Sequence, residues 1–175
     1  MRGEKMIRIR PYMDSDREAV FRWCGDEETF FRWTAGVLGP FPLTEEGFSK
    51  TAGLMRFTAL DEKIPAGFFC MRNPKETLDE LRVGFVIVDP AKRGRGIGQA
   101  MLRLGLDYAF LIYRAERVTL GVFEDNLPAR ACYASAGFRE TGVKERYPIR
   151  GVEKEAVEME CLRIPKTGET KGVHA

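Results

Sequence analysis

Histidine is nearly absent from this sequence: the 175 residues hold one, His174, next to the last position. A mechanism that needs a positioned imidazole, a Ser-His-Asp triad included, therefore lacks its base. Cysteine is sparse. Cys24, Cys70, Cys132 and Cys161 lie too far apart for the C-x-x-C spacing of a zinc or redox site, so reduced, mostly buried thiols and no metal are expected. An excess of one charge is missing as well. Lys plus Arg number 28 against 26 for Asp plus Glu, and the balance of +2 is neither a nucleic-acid footprint nor an acidic disordered composition. No apolar run approaches the roughly 18 residues of a membrane span, and the charged start is not followed by a signal-peptide core. These absences predict a cytoplasmic protein with no nucleic-acid and no membrane partner. There is no repeat of fixed period. Only residues 165–175 have a low-complexity character, and a disordered tail is expected there.

What remains suits one domain over residues 1–164, long enough to bury a core without disulfides or a structural metal. Residues 6–10 alternate before Pro11 and predict an edge strand. Ser15 to Glu18 reads as a capping box opening a helix, with Asp14 and Ser15 as cap residues and Ala19, Val20, Trp23 and Cys24 on one face. Residues 26–55 read as aromatic and irregular, with a second helix starting at Thr44. Residues 56–60 and 66–72 predict a hairpin across a polar turn. The apolar run 81–88 has the composition of a strand buried on both faces. Ile97, Met101, Leu104, Gly105, Tyr108, Ala109 and Ile112 recur at helical spacing and predict a helix of about 16 residues. A strand at 117–123, a helix at 127–136 with Pro128 in its first turn and Gly137 as cap, and strands at 143–149 and 155–163 follow. Hairpins followed by a strand-helix-strand unit predict a mixed α/β sheet with helices on both faces.

The chemistry concentrates in Arg93-Gly94-Arg95-Gly96-Ile97-Gly98, between the buried strand and the long helix. Backbone amides of a helix's first turn point outward without partners and bind anions. Three glycines remove the side chains that would keep a pyrophosphate away, and Arg93 and Arg95 add charge. The spacing excludes other phosphate loops. A dinucleotide fingerprint fails at Gln99 or Met101, and a Walker loop fails because Gln99 and Ala100 follow Gly98. A tight turn before a helix would explain the glycines alone.

Residues 86–101 resemble the acyl-CoA-binding motif of the GNAT superfamily of N-acetyltransferases, whose pattern R/Q-x-x-G-x-G/A is met by Arg93, Gly96 and Gly98. Downstream, Asn126, Ala129, Tyr133, Gly137 and Phe138 match the family's N-x-x-A-x-x-x-Y-x-x-x-G-F pattern. The resemblance covers residues 81–138 closely and the first 60 only in outline. It implies a GNAT fold, a mostly antiparallel sheet of about six or seven strands flanked by about four helices. It implies acetyl-CoA as co-substrate. The backbone of Val86, Ile87 and Val88 would pair with the pantetheine arm, and the amides of Gly94, Arg95, Gly96, Ile97, Gly98 and Gln99 would hold the pyrophosphate. Asn126 would bond the cofactor arm, and Tyr133 would protonate the leaving thiolate, although a tyrosine here also suits core packing.

The acceptor implied is a primary amine, on a small molecule or a protein N-terminus, attacking directly in a ternary complex of a monomer or homodimer. A silent acyl-CoA-binding module is the alternative. Some family members carry a glutamate base five positions before the asparagine, and that position here is Gly121. Glu124 and Asp125 lie nearby but read first as solvated turn residues. Phe30, Phe31, Trp33, Phe41 and Phe48 could wall the acceptor pocket or fill the core. Glu153, Glu155, Glu158 and Glu160 could attract a cationic amine or simply face water.

Overall fold

A computed structural model describes residues 6–164. The expectations for the charged start, the tail and His174 lie outside those residues. One seven-stranded sheet runs through the described chain in the order β1-β2-β3-β4-β5-β7-β6. Its strands are β1 (Ile7–Pro11), β2 (Met55–Asp61), β3 (Ile64–Arg72), β4 (Glu80–Val88), β5 (Arg117–Phe123), β6 (Arg139–Ile149) and β7 (Val152–Leu162). Every neighbouring pair is antiparallel except β4 and β5. A parallel pair needs a long crossover, and α4 (Ile97–Asp107) provides it. The mixed α/β architecture is the one the sequence predicts.

Alternation along the strands separates two cores. Leu81, Val83, Val118, Leu120 and Val122 face α4 and α5 (Leu127–Ala136), where they meet Met101, Leu102 and Leu106. On the opposite face Phe68, Cys70 and Ile87 pack under α1 (Arg17–Trp23), α2 (Glu27–Thr34) and α3 (Glu45–Ser49), against Val20, Trp23, Phe30 and Phe48. Among the described residues five α-helices therefore stand where about four were expected. The extra one is α2, in the segment read as irregular. Its signal was present: Asp26 accepts the backbone N–H of Thr29 at 2.8 Å, and Ala35 closes the helix at φ 50°. The dense aromatics, weak helix formers, masked a helix that exists because Phe30 and Trp33 are buried beneath it.

The capping box at Ser15 is not formed. A 3₁₀ turn at Asp14–Asp16 precedes α1, and Asp16 rather than Ser15 does the bonding. Its carboxylate accepts from Arg10 at 2.6 and 2.8 Å, from the Met13 backbone at 3.0 Å and from Thr58 at 2.7 Å. Burial acts to raise the Asp16 pKa, but the bonds from Arg10, Met13 and Thr58 outweigh it and hold the group below the ordinary carboxylate range. Asp16→Asn leaves Arg10 facing an uncharged amide, and a loss of about 3 kcal/mol in urea unfolding is expected. With its folded pKa depressed, Asp16 stabilises the protein above its unfolded value, near 4, and that share is lost as pH falls through the folded pKa.

Other boundaries shift modestly. Strands β6 and β7 run longer than predicted, and their register slips between Glu140 and Lys144. The long helix does extend to Ile112, but its last five residues, Tyr108–Ile112, form a π-helical turn.

Candidate active site

The parallel pair is short. Strands β4 and β5 are registered only from Glu80 opposite Arg117 to Val83 opposite Leu120, and then they part. On its other side β4 carries a bulge: Gly84 pairs with Cys70 and Ile87 with Phe68, so Phe85 and Val86 together oppose Phe69. Phe85 takes φ 52°, the left-handed region, at a cost of about 1–2 kcal/mol for a side chain of this kind. Its ring packs edge-on against Trp33 at 6.3 Å, which holds it there. Beyond Val83 the β5-facing edge of β4 has no strand partner among the described residues. Val86, Ile87 and Val88 thus offer backbone groups to whatever enters.

A cleft of about 1430 Å³ fills the space between the parting strands. Val86, Ile87 and Val88 line one wall, Gly121 to Phe123 another, and Asn126, Ala129, Cys132 and Tyr133 of the α5 end a third. Arg93, Gly94, Gly96, Ile97, Gly98 and Gln99 line it at the α4 end, and Arg95 alone of the predicted loop does not. Gly94 (φ 74°) and Gly96 (φ 77°) adopt the left-handed backbone that glycine tolerates, and a side chain at either would meet nothing within 4 Å. That open space beside the N-terminus of an 11-residue helix is room for a phosphate. The α4 first turn carries no acidic side chain to oppose one.

One loop expectation needs correction. The sequence puts Gly98 among the glycines that clear space for pyrophosphate, but a Cβ there would meet Cys132 Sγ at 3.1 Å, so its missing side chain serves the close approach of α4 to α5. Ile97 is buried, which leaves only its backbone for a ligand. Gln99 uses its side-chain amide on the Ser135 carbonyl at 2.9 Å. Lys92, which the sequence reading passed over, ties the loop to the end of β2 through Asp61 at 3.2 Å. A lysine two residues after Asp-Pro gave no local sign of that distant partner.

Asn126 caps α5, its Oδ1 accepting from the Ala129 backbone at 3.3 Å. The Tyr133 ring is buried in the core beside Phe138, yet the residue lines the cleft. Its hydroxyl has no hydrogen-bond partner among the described residues. Burial, with a smaller push from Cys132, raises its pKa above that of a free phenol, so it stays protonated at neutral pH. The cleft thus brings the glycine loop, the buried Tyr133 and the open edge of β4 to one space.

The model of the acetyltransferase (GNAT) family matches residues 11–138. The chain belongs to that family. It is similar to the probable N-acetyltransferase YjcK of Bacillus subtilis, 30% identical over 85% of this chain and 89% of that protein. It is 46% identical to the N-alpha-acetyltransferase RimI of Mycobacterium tuberculosis over 68 residues, 39% of this chain and 40% of the relative, so it spans less than half of that relative's length. In structure it resembles spermidine N-acetyltransferase of Vibrio cholerae solved with CoA and spermine, with TM-score 0.74 at 21% identity over 89% of this chain and 95% of that one. The GNAT family is one of N-acetyltransferases that take acetyl-CoA as co-substrate, and the open strand edge and loop here fit that molecule.

In this GNAT chain the carboxylates that the sequence left between two readings are ion-paired. Glu124 pairs with Lys144 at 3.1 Å, and Asp125 pairs with Lys154 at 3.0 Å and Arg32 at 3.6 Å, so both sit in ion-paired turns. The bond from Lys154 is the main reason Asp125 lies below its ordinary pKa. The late-strand glutamates are matched by cations too. Glu158 meets Arg82 and Arg117, Glu160 meets Arg117 and Arg139, Glu155 meets Lys144 and Arg146, and Glu153 meets Arg146. A pull on a cationic amine, one of the two readings, is thereby largely cancelled. Of the aromatic cluster, Trp33 lines the cleft, Phe30 and Phe48 are buried in the core, and Phe31 and Phe41 pack at its margin.

Proposed function

We propose that this protein transfers the acetyl group of acetyl-CoA to a primary amine, on a small molecule or a protein N-terminus, by direct attack in a ternary complex. The observation that carries the reading is the parting of β4 from β5, which sets the open edge of Val86 to Val88 across one cleft from Tyr133. The pantetheine arm pairs with that edge as a further strand would. Amides from Gly94 to Gln99, with Arg93, take the pyrophosphate, and the side-chain NH₂ of Asn126 bonds the arm while its oxygen stays on the helix cap. Arg95 contributes its amide and a general positive field rather than a contact in the cleft.

Helices α4 and α5 cover one sheet face, so the acceptor approaches from the other, where Trp33, Arg82, Gly121 and Tyr147 border the cleft. The neutral amine attacks the thioester carbonyl, the tetrahedral intermediate expels the thiolate, and Tyr133 supplies the proton that makes it a thiol. Residues 1–164 act as one catalytic domain, cytoplasmic, as a monomer or homodimer. Among the described residues no helix is long and apolar enough to cross a membrane.

A silent acyl-CoA-binding module is the second reading, favoured by the missing carboxylate at Gly121. Thermal unfolding with acetyl-CoA, ATP and NAD, followed by thiol release with a panel of amines, separates the two. Acetyl-CoA at 100 times its Kd is expected to stabilise by about 2.7 kcal/mol, or about 5–11 °C in Tm, with no shift from ATP or NAD. Stabilisation without turnover on any amine would favour the silent module. No stabilisation by acetyl-CoA would sink both.

A further inference from the structure

An acceptor that arrives as an ammonium must lose a proton before its nitrogen can attack. The room above Gly121 is not vacant for an outside base: a Cβ there would stand 3.1 Å from Arg82 Nη2. Gly121 lies directly opposite Glu158 of β7, so the two face the same side of the sheet, away from the α4 and α5 core. The absent side chain lets the Arg82 guanidinium lie across β5. Its Nη1 donates to Glu158 at 3.3 Å and its Nη2 to Glu145 Oε2 of β6 at 3.2 Å. The Tyr147 hydroxyl donates to that same Glu145 oxygen at 2.6 Å. Arg82, Gly121 and Tyr147 all border the cleft where β4 and β5 part.

Two carboxylates share one guanidinium, and their other partners tell them apart. Glu158 also accepts from Arg117 at 2.9 Å and from the Thr141 hydroxyl at 3.2 Å, and its side chain is 13% exposed. Glu145 holds Arg82 and Tyr147 through one oxygen, and its side chain is 40% exposed. Protonating Glu158 disrupts bonds to two guanidinium groups, whereas protonating Glu145 leaves all of those on Glu158 intact.

We infer that Glu145, acting through Tyr147, takes the proton of the acceptor ammonium, with Arg82 as the positioning residue that holds the carboxylate against Tyr147. The inference rests on the reading that the acceptor is a primary amine. In the step an ammonium N–H bond breaks and its proton passes to the Tyr147 oxygen, while the proton of Tyr147 passes to Glu145. Tyr147 ends neutral as it began, the amine is left with its lone pair, and the Glu145 carboxylate becomes a carboxylic acid that later releases the proton to water. Nothing is oxidised or reduced. Burial and the bond to Glu145 raise the Tyr147 pKa against the pull of Arg82, so the phenol conducts a proton without ionising. The other charges facing the pair are Arg82 from β4, Arg117 from β5 behind Glu158, and from β7 Glu158 itself and Lys154, which lies opposite Tyr147 in register and pairs with Asp125.

The test is the pH profile of kcat/KM, from about pH 6 to 10, for the wild type, Glu145→Gln and Tyr147→Phe, each also measured for stabilisation by acetyl-CoA. Both variants are expected to keep that stabilisation and to lose about 100-fold in kcat/KM at pH 7. The deficit should shrink as pH nears the pKa of the amine, about 10 for an alkylamine of lysine type, because a neutral amine needs no base. Tyr147→Phe keeps the ring against Phe123, at 6.0 Å, and serves if Glu145→Gln fails to fold. No loss in a folded variant, or the same loss at every pH, overturns the relay. Wild-type protein that is stabilised by acetyl-CoA but acetylates no amine at any pH overturns the amine reading itself, and the relay with it.

Discussion

Tyr133→Phe is expected to bind acetyl-CoA as the wild type does and to turn over about 100-fold or more slowly. The substitution removes one oxygen and leaves the ring packed beside Phe138, 6.5 Å away. Because the hydroxyl has no partner among the described residues, its loss strands no buried donor or acceptor, and the stability change should stay within about 1 kcal/mol. A rate effect far larger than the stability effect is the signature of a proton donor. The pH sign also follows. Burial raises the phenol's pKa, so the acid stays protonated through neutral pH, and no fall in rate from its ionisation is expected below about pH 10. Steady-state thiol release, with the acetyl-CoA thermal shift on the same preparation, checks both. Turnover equal to wild type would remove Tyr133 as the acid.

Gly96→Glu should abolish acetyl-CoA stabilisation altogether. The residue begins α4 at φ 77° and ψ 4°, a left-handed backbone that costs a side chain about 1–2 kcal/mol. Strain alone is therefore a modest penalty. Charge is the larger one, since a carboxylate in the open space beside the helix N-terminus takes the place of the phosphate and repels what remains of it. Gly96→Ala separates the two effects: it carries the strain without the charge, and weakened but measurable binding is expected. Calorimetric titration of both variants with acetyl-CoA reads the difference. If Gly96→Glu bound as tightly as Gly96→Ala, the pyrophosphate would have to lie elsewhere.

Much of the cofactor half was legible before any fold was known, because its signals are local. A buried strand, glycines before a helix, and an Asn-to-Tyr helix are each written within a few turns of chain. Strand β5 and helix α5 fall on the predicted residues, 117–123 and 127–136. Local signals also misled where two readings fit one motif. Gly98 matches the loop pattern but serves helix packing against Cys132, and Ser15 fits a cap that Asp16 replaces by reaching Arg10 and Thr58.

The acceptor half was not legible, because its geometry is made of distant pairs. Nothing near Gly121 in the chain signals that Arg82 lies over it, or that Glu145 and Glu158 hold that guanidinium from two other strands. From sequence the acidic run 153–160 read as a possible attractor for amines, and only the sheet register revealed the arginines that neutralise it. By itself, then, the sequence determined the strand-loop-helix unit and nominated the phosphate loop and the acid now proposed, since backbone conformation and helix termini depend on neighbours a few residues away. Tertiary structure alone decided where β4 leaves β5, which charges cancel and which carboxylate on Arg82 stays more exposed, since those depend on strands brought side by side from positions tens of residues apart.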